Sequence, residues 1–414
     1  MSIKGTVTLP GDKSLSHRAL IFAAMSNGES QISNLSNGSD VISTRKCLEH
    51  CGIEIFDKEH TTFIRGGKFT DPIVDLNCGN SGTTTRLLLG LLAGKGINAR
   101  FVGDKSLSSR PMDRVLDPLG KMGLKSKSND GKLPISIFKS NLNGISHTSL
   151  IPSAQIKSAI LLAGIEASGE TSTTESILSR NHSEIMLKKL GATFSTNNLT
   201  NTISKSTLSP LINFNVPADP STSSFFSTAA ILLPNSSITL KNILLNPTRI
   251  GFYKIVNRMG ATLVYLNEKL SFGEKVGSIK VISSKLKNIH ISKNDVPGLI
   301  DELPLIALLA TQAKGITEVR DAKELRFKEC DRIKAICKNL INMGANIKEL
   351  DDGFIIKGPT PLKAAKIKTY NDHRIAMTFA IAGLISNEDI ELDNPDCVSI
   401  SFPNFFQQLK RLKK

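Results

Sequence analysis

Tryptophan is absent from this chain of 414 residues, and only three tyrosines are present. Proteins that bind single-stranded nucleic acids without sequence preference stack bases on aromatic side chains, and this chain has few such platforms. Its apolar runs are all shorter than the ~20 residues that a membrane-spanning helix needs. We therefore expect the partners to include neither a nucleic acid nor a membrane.

Cysteine is also scarce, with six residues in the chain. None of them forms a CxxC pair and no group of histidines accompanies them, so the sequence predicts no metal site. The N-terminal residues Met1–Gly5 have no features of a signal peptide. A reduced, cytoplasmic setting is therefore expected.

Acidic residues are outnumbered by basic ones, and the formal net charge is +15. Such an excess is typical of nucleic-acid-binding proteins, but it also fits a lysine-rich surface with a site for anionic small molecules. Basic residues are scattered along the chain, with one short cluster at Lys410–Lys414. This distribution favours small anions as the ligands. The alternative is a basic nucleic-acid-binding or RNA-end-processing protein.

Internal repetition organises the chain. Apolar helical runs followed by β-type segments recur with a period of about 70 residues, starting near His17, Thr84, Ser158, Ser227, Pro304 and Arg374. A second series of amphipathic helices is interleaved, and its members close on a glycine, the residue expected just past a helix, at Gly52, Gly123, Gly191, Gly260 and Gly344. Helices alternating with strands in this way predict an α/β fold.

Six such units favour two lobes of three repeats each, with a boundary near Pro217–Pro220. We predict a first lobe of residues 12–218 and a second lobe of residues 1–11 plus 219–414. If the first strand, Lys4–Leu9, pairs with the C-terminal half, the chain crosses between lobes twice. Both crossovers would then form the hinge of a cleft between the lobes.

Polar and charged residues precede the apolar helices. Serine, threonine, asparagine and aspartate are ordinary N-caps and need no further explanation. Cations at a helix N-terminus oppose the helix dipole, so they suggest a compensating anion. Such cations occur at Lys13, Arg18, Arg110, Lys328, Arg332 and Arg374. The stretch Gly11–Ser14 is not a nucleotide P-loop, because Asp12 stands where that loop needs glycine.

Two carboxylates permit two interpretations each. Asp301 is either the N-cap of the helix that contains Pro304 or an acid/base group. Glu329, among basic neighbours, is either part of a solvated ion pair or a second acid/base group whose proton affinity those cations set. The residues alone leave both alternatives open.

Several motifs occur in one order along nearly the whole chain: Gly11–Ser14 with His17 and Arg18; Asn80–Thr83 with Arg86; Arg110–Pro111; Pro152–Gln155; Asp301–Glu302; Lys328–Arg332; and Asp372–Arg374 with Ser401–Pro403. Each motif is weak by itself, but the ordered set closely resembles the 5-enolpyruvylshikimate-3-phosphate synthases among the enolpyruvyl transferases. The resemblance implies two lobes of three βαβαββ units, an inside-out α/β barrel type of fold.

The resemblance also implies a reaction. The enolpyruvyl group of phosphoenolpyruvate passes to the 5-hydroxyl of shikimate 3-phosphate and phosphate is released, a step of aromatic amino-acid biosynthesis. Neither a cofactor nor a metal is implied, and a monomer is expected. The two anionic substrates would account for the excess of lysine and arginine.

Residue roles follow from the resemblance by position. The residues implied for shikimate 3-phosphate are Lys13, Ser14, Arg18, Ser153, Ala154, Gln155, Arg180, Asp301 and Lys328. Those implied for phosphoenolpyruvate are Lys13, Gly82, Arg110, Gln155, Arg332 and Arg374. Asp301 would take the proton of the attacking hydroxyl, Glu329 would move protons at the phosphoenolpyruvate methylene, and Lys13 would assist the leaving phosphate.

Two positions depart from the family pattern. Ile400 stands where many members have a lysine that contacts phosphoenolpyruvate, and Ala154 replaces a serine found in another branch. Gly82 is the small residue associated with glyphosate-sensitive members, so glyphosate is expected to compete with phosphoenolpyruvate.

The related UDP-N-acetylglucosamine enolpyruvyl transferase is the nearest alternative. That enzyme usually carries a reactive cysteine or an aspartate in the loop before its Arg-Pro pair. The loop Gly103–Arg110 has no cysteine, and no aspartate stands next to its arginine. Lys13–Ser14 also replaces the early Lys-Asn pair of that enzyme, so the alternative is disfavoured.

Overall fold

A computed structural model describes residues 1–386, 388 and 390–413. It divides into two compact units, Gly11–Val216 and a second unit that joins Met1–Pro10 to the chain from Pro217 onward. The division differs from the predicted lobe limits by one residue at the first crossover and two at the second. The second difference has a local reason, because Ala218 forms a parallel bridge with Ile243 of the C-terminal unit. No helix in the described part of the chain is long and apolar enough to cross a membrane.

The first strand, β1 (Lys4–Val7), precedes the Gly11–Val216 unit. That unit contains, in order, α1 (Lys13–Met25), β2 (Gly28–Ser33), α2 (Ser39–His50), β3 (Glu54–Lys58), β4 (Thr61–Gly66), β5 (Leu76–Asn77), α3 (Gly82–Lys95), β6 (Ala99–Val102), α4 (Lys105–Ser108), α5 (Asp113–Lys121), β7 (Lys125–Asn129), β8 (Lys132–Phe138), β9 (Ser146–Ser149), α6 (Ala154–Gly164), β10 (Thr171–Glu175), α7 (His182–Lys189), β11 (Phe194–Asn197), β12 (Thr200–Ile203) and β13 (Phe214–Asn215). Its sheets have the strand orders β13-β2-β4-β3, β5-β6-β8-β7 and β9-β10-β12-β11.

The second unit continues with α8 (Pro220–Leu232), β14 (Ser237–Leu244), α9 (Gly251–Arg258), β15 (Thr262–Ser271), β16 (Glu274–Ile282), β17 (His290–Ile291), α10 (Leu303–Gln312), β18 (Gly315–Val319), α11 (Arg332–Asn342), β19 (Asn346–Leu350), β20 (Gly353–Gly358), β21 (Lys366–Ile367), α12 (His373–Ser386), β22 (Glu391–Leu392) and α13 (Phe405–Leu412). Its sheets have the orders β1-β14-β16-β15, β17-β18-β20-β19 and β21-β22. Short 3₁₀ turns cover Val296–Gly298, Ile300–Glu302, Lys323–Phe327 and Pro395–Ile400.

The predicted α/β repeat is confirmed. In each four-stranded sheet the first two strands are parallel and the remaining pairings are antiparallel, which is the βαβαββ pattern. β1 pairs in parallel with β14, Lys4 opposite Ser237 and Val7 opposite Leu240, so the N-terminus completes a sheet of the C-terminal half. The sixth repeat is shorter: no antiparallel hairpin follows β22 within the described residues.

The two helix series differ in burial. In the first series the helices are covered on nearly all sides, and every residue of α1 from Leu15 to Met25 is buried. Members of the second series bury one face, and α2, α5, α7, α9 and α11 are each followed by a glycine with positive φ, as predicted. A residue with a Cβ would be strained there, so glycine ends these helices.

Close helix packing aligns two of the predicted helix starts. At Gly90 in α3 an added Cβ would lie 2.1 Å from the carbonyl oxygen of Ala159 in α6, so only glycine permits this approach. Burying apolar side chains at such a contact stabilises by about 1.5–3 kcal/mol for each large residue. This packing fixes the N-termini of α3 and α6, which carry predicted binding residues.

Candidate functional site

At three helix starts of the Gly11–Val216 unit, the side chain of the N-cap residue accepts a hydrogen bond from a backbone N–H group of the first turn. Asp12 accepts from the backbone N–H of Leu15 at 2.7 Å, and Ser81 accepts from Thr84 at 3.1 Å. Ser153 caps α6 through Ile156 at 3.5 Å. The remaining N–H groups and the helix dipoles favour anions at these positions.

Arg18 joins three elements of the unit. Its side chain is buried, and it donates to Ser183 Oγ and Ser158 Oγ at 2.8 Å each and to the carbonyl of Ser14 at 3.0 Å. Arg180 Nη1 donates to Ser14 Oγ at 3.3 Å. The structure therefore brings together three residues implied for shikimate 3-phosphate, and we name Ser14, Arg18, Ser158, Arg180 and Ser183 the serine–arginine cluster.

Lys13 and His17 occupy the same helix start. Lys13 Nζ lies 3.0 Å from Asp40 Oδ2, and both side chains are largely shielded from solvent. His17 is buried and its Nδ1 lies 2.7 Å from Thr44 Oγ1. Burial, reinforced by the positive charges of Lys13 and Arg18, lowers the pKa of His17 well below its ordinary value. His17 is therefore neutral at pH 7.

A second group lies where α3 and α6 begin. Arg86 Nη1 donates to Gln155 Oε1 at 2.7 Å, and Gln155 Nε2 donates to Thr83 Oγ1 at 2.9 Å. A Cβ added at Gly82 would lie 2.8 Å from Arg86 Nη1 and 3.5 Å from Arg110 Nη1. Three residues implied for phosphoenolpyruvate are thus grouped here: Arg86 contacts Gln155, and the guanidinium groups of Arg86 and Arg110 both lie beside Gly82.

The second unit holds a dense group of charges around Asp301. Its carboxylate oxygens lie 3.4 Å from Lys328 Nζ, 3.4 Å from Arg332 Nη1 and 3.8 Å from Arg374 Nη2. The N-cap interpretation of Asp301 is wrong, because Asp301 lies within a 3₁₀ turn and Glu302 occupies the cap position of α10.

Arg332 is the centre of this group. Its side chain is 1% exposed, Nε donates to Asp372 Oδ2 at 2.7 Å and Nη2 lies 2.5 Å from Glu329 Oε2. Burial alone would lower the pKa of Arg332, but Asp372, Glu329 and Asp301 together raise it above its ordinary value. The anions that compensate this cation are therefore protein carboxylates. We name Asp301, Lys328, Glu329, Arg332, Asp372 and Arg374 the carboxylate cluster.

Asp372 ties two parts of the carboxylate cluster together. It is fully buried, it accepts from Arg332, and its Oδ1 accepts from the backbone N–H of Arg374 at 2.9 Å. Arg374 Nη1 in turn donates to the carbonyl of Asp301 at 3.2 Å and approaches Glu302 Oε1 at 3.5 Å. Asp372 belongs to the motif Asp372–Arg374, but no role was predicted for it from the sequence. Its place just before a helix-start arginine is the feature that could have identified it as a functional residue.

The two positions that depart from the family pattern carry apolar side chains that supply no hydrogen bond. Ala154 is the first residue of α6 and supplies no side-chain hydrogen bond. Ile400 ends a 3₁₀ turn and packs, partly buried, against the apolar core of its unit. The apolar side chain at position 400 therefore contributes to packing rather than to a charged contact.

The chain is similar to known proteins over nearly its whole length. The sequence model of EPSP synthase (3-phosphoshikimate 1-carboxyvinyltransferase) matches residues 1–409. The 3-phosphoshikimate 1-carboxyvinyltransferase of Oceanobacillus iheyensis is 43% identical over 100% of this chain and 97% of its own length. That of Streptococcus pyogenes serotype M49 is 44% identical over 99% and 97%.

Solved structures agree with these matches. An EPSP synthase from Acinetobacter baumannii superposes with a TM-score of 0.89 at 36% identity, covering 99% of this chain and 96% of that one. The enolpyruvyl transferase NikO from Streptomyces tendae shares the fold, with a TM-score of 0.77 at 18% identity over 99% and 95% of the two chains. The chain belongs to the EPSP synthase family, the 3-phosphoshikimate 1-carboxyvinyltransferases.

Proposed function

We propose that this chain transfers the enolpyruvyl group of phosphoenolpyruvate to the 5-hydroxyl of shikimate 3-phosphate and releases phosphate. The observation that carries the proposal is the carboxylate cluster, in which Asp301 and Glu329 both contact Arg332. Paired carboxylates held by cations suit proton transfer beside anionic substrates. Family membership over nearly the whole chain supports the same reaction.

Shikimate 3-phosphate is assigned first to the serine–arginine cluster. Guanidinium and hydroxyl groups donate several hydrogen bonds to one phosphate, and arginine does so in a bidentate way. Ser14, Arg18 and Arg180 take this role, with Lys13 beside them. The other positions assigned to this substrate are Ser153, Ala154, Gln155, Asp301 and Lys328.

Phosphoenolpyruvate needs cations for both its phosphate and its carboxylate. The groups assigned to it in the Gly11–Val216 unit are Lys13, Gly82, Arg110 and Gln155, and those in the second unit are Arg332 and Arg374. Gly82 contributes space rather than a bond, because a Cβ there would press on Arg86. Cations aimed at the charge that develops during reaction are expected to supply the largest share of the rate enhancement.

The proton movements balance as an addition followed by an elimination. Asp301 accepts the proton of the 5-hydroxyl while the oxygen of that hydroxyl bonds to C2 of phosphoenolpyruvate. Glu329 delivers a proton to the methylene carbon. In the second step a proton returns from that carbon to Glu329 as the C2–O bond to phosphate breaks. The leaving phosphate takes up one proton with the assistance of Lys13, and Asp301 releases the proton of the 5-hydroxyl to solvent, so that both carboxylates return to their starting states.

Two alternatives make different predictions in one assay, phosphate release from phosphoenolpyruvate. With shikimate 3-phosphate as acceptor, release is expected; with UDP-N-acetylglucosamine, none is expected. Release with the second acceptor alone would refute the proposal in favour of the related transferase. No release with either acceptor, together with salt-sensitive binding of RNA, would favour the nucleic-acid alternative. We still expect the protein to be a monomer and to be located in the cytoplasm.

A further inference from the structure

A buried ionic cluster lies beside the serine–arginine cluster and has no place in the reaction above. Lys157 Nζ is 2.6 Å from Glu175 Oε2 and 2.5 Å from Glu184 Oε1. The side chains of Lys157 and Glu175 are 0% and 1% exposed, and that of Glu184 is 8% exposed. Lys157 lies in α6, two residues after the motif Pro152–Gln155.

Stability is a weak explanation for this arrangement. Charges lose their hydration when buried, and apolar residues of similar volume are often as stabilising as a buried ion pair. Here two carboxylates face one ammonium, and Glu175 Oε1 and Glu184 Oε2 have no hydrogen-bond partner in the described part of the chain. What such a cluster does supply is a fixed geometry among the elements that carry it, α6, β10 and α7.

The cluster is joined through the backbone to the groups that hold Arg18. Lys157 directly precedes Ser158, and Glu184 directly follows Ser183. Arg18 donates to both serine hydroxyls, which lie 2.7 Å apart. The Lys157–Glu184 contact therefore links α6 to α7 directly beside the two serines that contact the Arg18 guanidinium.

Glu175 holds the loop that carries Arg180. Its Oε2 accepts both from Lys157 and from the backbone N–H of Ser179 at 3.3 Å. Arg180 follows directly, and its Nη1 reaches Ser14 Oγ. One carboxylate oxygen thus connects the buried ammonium to the position of a second arginine.

We propose that Lys157, Glu175 and Glu184 are positioning residues that set the affinity of the enzyme for shikimate 3-phosphate and leave that for phosphoenolpyruvate unchanged. The inference rests on the proposed function, because it assumes that Arg18 and Arg180 bind this substrate. Small displacements of binding groups have large effects, and 1 Å can cost about 10²-fold. A purely structural role would change the affinities for both substrates alike.

Two variants test the proposal. Glu184→Gln keeps the shape and leaves one carboxylate for one ammonium, so it is expected to fold. The triple variant Lys157→Met, Glu175→Gln, Glu184→Gln removes every charge of the cluster, which avoids an uncompensated buried ion. We expect KM for shikimate 3-phosphate to rise about 3- to 10-fold in the first and about 10- to 100-fold in the second. KM for phosphoenolpyruvate should stay within about twofold in both.

Lys95→Met is the matched control, because it breaks the part-buried pair with Glu166 in the same unit. Thermal unfolding establishes that each variant is folded, and calorimetric titration with shikimate 3-phosphate measures affinity without turnover. A folded Glu184→Gln with the affinity of the unmodified chain overturns the positioning role, as does an equal rise in both KM values. If the unmodified chain releases no phosphate with shikimate 3-phosphate, the proposed function fails, and this inference fails with it.

Discussion

The serine–arginine cluster and the carboxylate cluster are both built on arginines near helix starts, but their composition differs. In the first, guanidinium groups contact serine oxygens, as between Arg18 and Ser183 or between Arg180 and Ser14. In the second, Arg332 contacts Asp301, Glu329 and Asp372. Hydroxyl and guanidinium groups suit binding of a phosphate, whereas carboxylates among cations suit proton transfer. Similar sequence signals thus occur in two clusters of different chemistry; we assign phosphate binding to the first, and both substrate contacts and proton transfer to the second.

The largest effect is expected in the carboxylate cluster. Glu329→Gln and Asp301→Asn should each lower kcat by about 10²- to 10³-fold, the usual cost of removing one charge-stabilising group. Steady-state phosphate release measures this loss. Glu349→Gln, which only loosens a partly exposed pair with Arg326, is the control and should keep its turnover. Near-normal turnover in either of the first two variants would rule out the acid/base assignment.

The serine–arginine cluster should respond in KM instead. Arg180→Met removes a charged hydrogen-bond donor, and KM for shikimate 3-phosphate should rise about 10- to 100-fold. Initial rates with each substrate varied in turn separate this from a change in kcat. Lys188→Met changes an exposed cation on the neighbouring helix α7 and should leave both constants unaltered. A fall in kcat with an unchanged KM for shikimate 3-phosphate would contradict the assignment of Arg180 to substrate binding.

A smaller effect is expected at Gly82. The new Cβ of Gly82→Ala would lie 2.8 Å from Arg86 Nη1, so the flexible guanidinium must shift. We expect KM for phosphoenolpyruvate to rise about 3- to 10-fold, because a shift of less than 1 Å costs less than 10²-fold. Gly120→Ala is the control, since a Cβ there meets no atom within 4 Å. Equal behaviour of the two alanine variants would contradict the crowding argument.

The smallest effect concerns stability and reports on the burial of His17 beside the serine–arginine cluster. The folded state keeps His17 neutral, since burial and then the charges of Lys13 and Arg18 lower its pKa. Below the unfolded value of about 6.5 the unfolded chain binds a proton that the folded chain does not, so stability falls as pH falls. The slope from this group approaches about 1.4 kcal/mol per pH unit.

Denaturant unfolding between pH 7 and pH 5 measures that slope. His17→Gln should flatten it, whereas His60→Gln, at an exposed position, should leave it unchanged. If the His17 variant has the slope of the unmodified chain, His17 is not the neutral buried group described above.

Local patterns were sufficient for the helices and repeats. The apolar runs and the closing glycines are consecutive in sequence, so α1 and the helix that ends before Gly52 could be predicted from their own residues. The exception is Asp301, for which the N-cap alternative was wrong: Glu302 occupies the cap position of α10, and the carboxylate of Asp301 lies beside Lys328 and Arg332.

Contacts between distant residues could not be predicted from local patterns. Asp372 accepts from Arg332 across 40 residues of sequence, and Arg86 reaches Gln155 across 69. The position of Arg332 at a helix start predicts that it needs a compensating substrate anion, whereas protein carboxylates already surround it. The family resemblance assigns Asp301 and Glu329 to proton transfer; the structure places both beside this arginine, and their roles stay predictions.

Calorimetric titration of Glu329→Gln with shikimate 3-phosphate tests the division between binding and reaction most directly. Glu329 lies in the carboxylate cluster and is assigned to proton transfer, so the variant should bind this substrate within about threefold of the unmodified chain while its kcat falls by about 10²- to 10³-fold. An affinity that falls by the same factor as turnover would show that Glu329 acts in binding, and its assignment to proton transfer would be wrong.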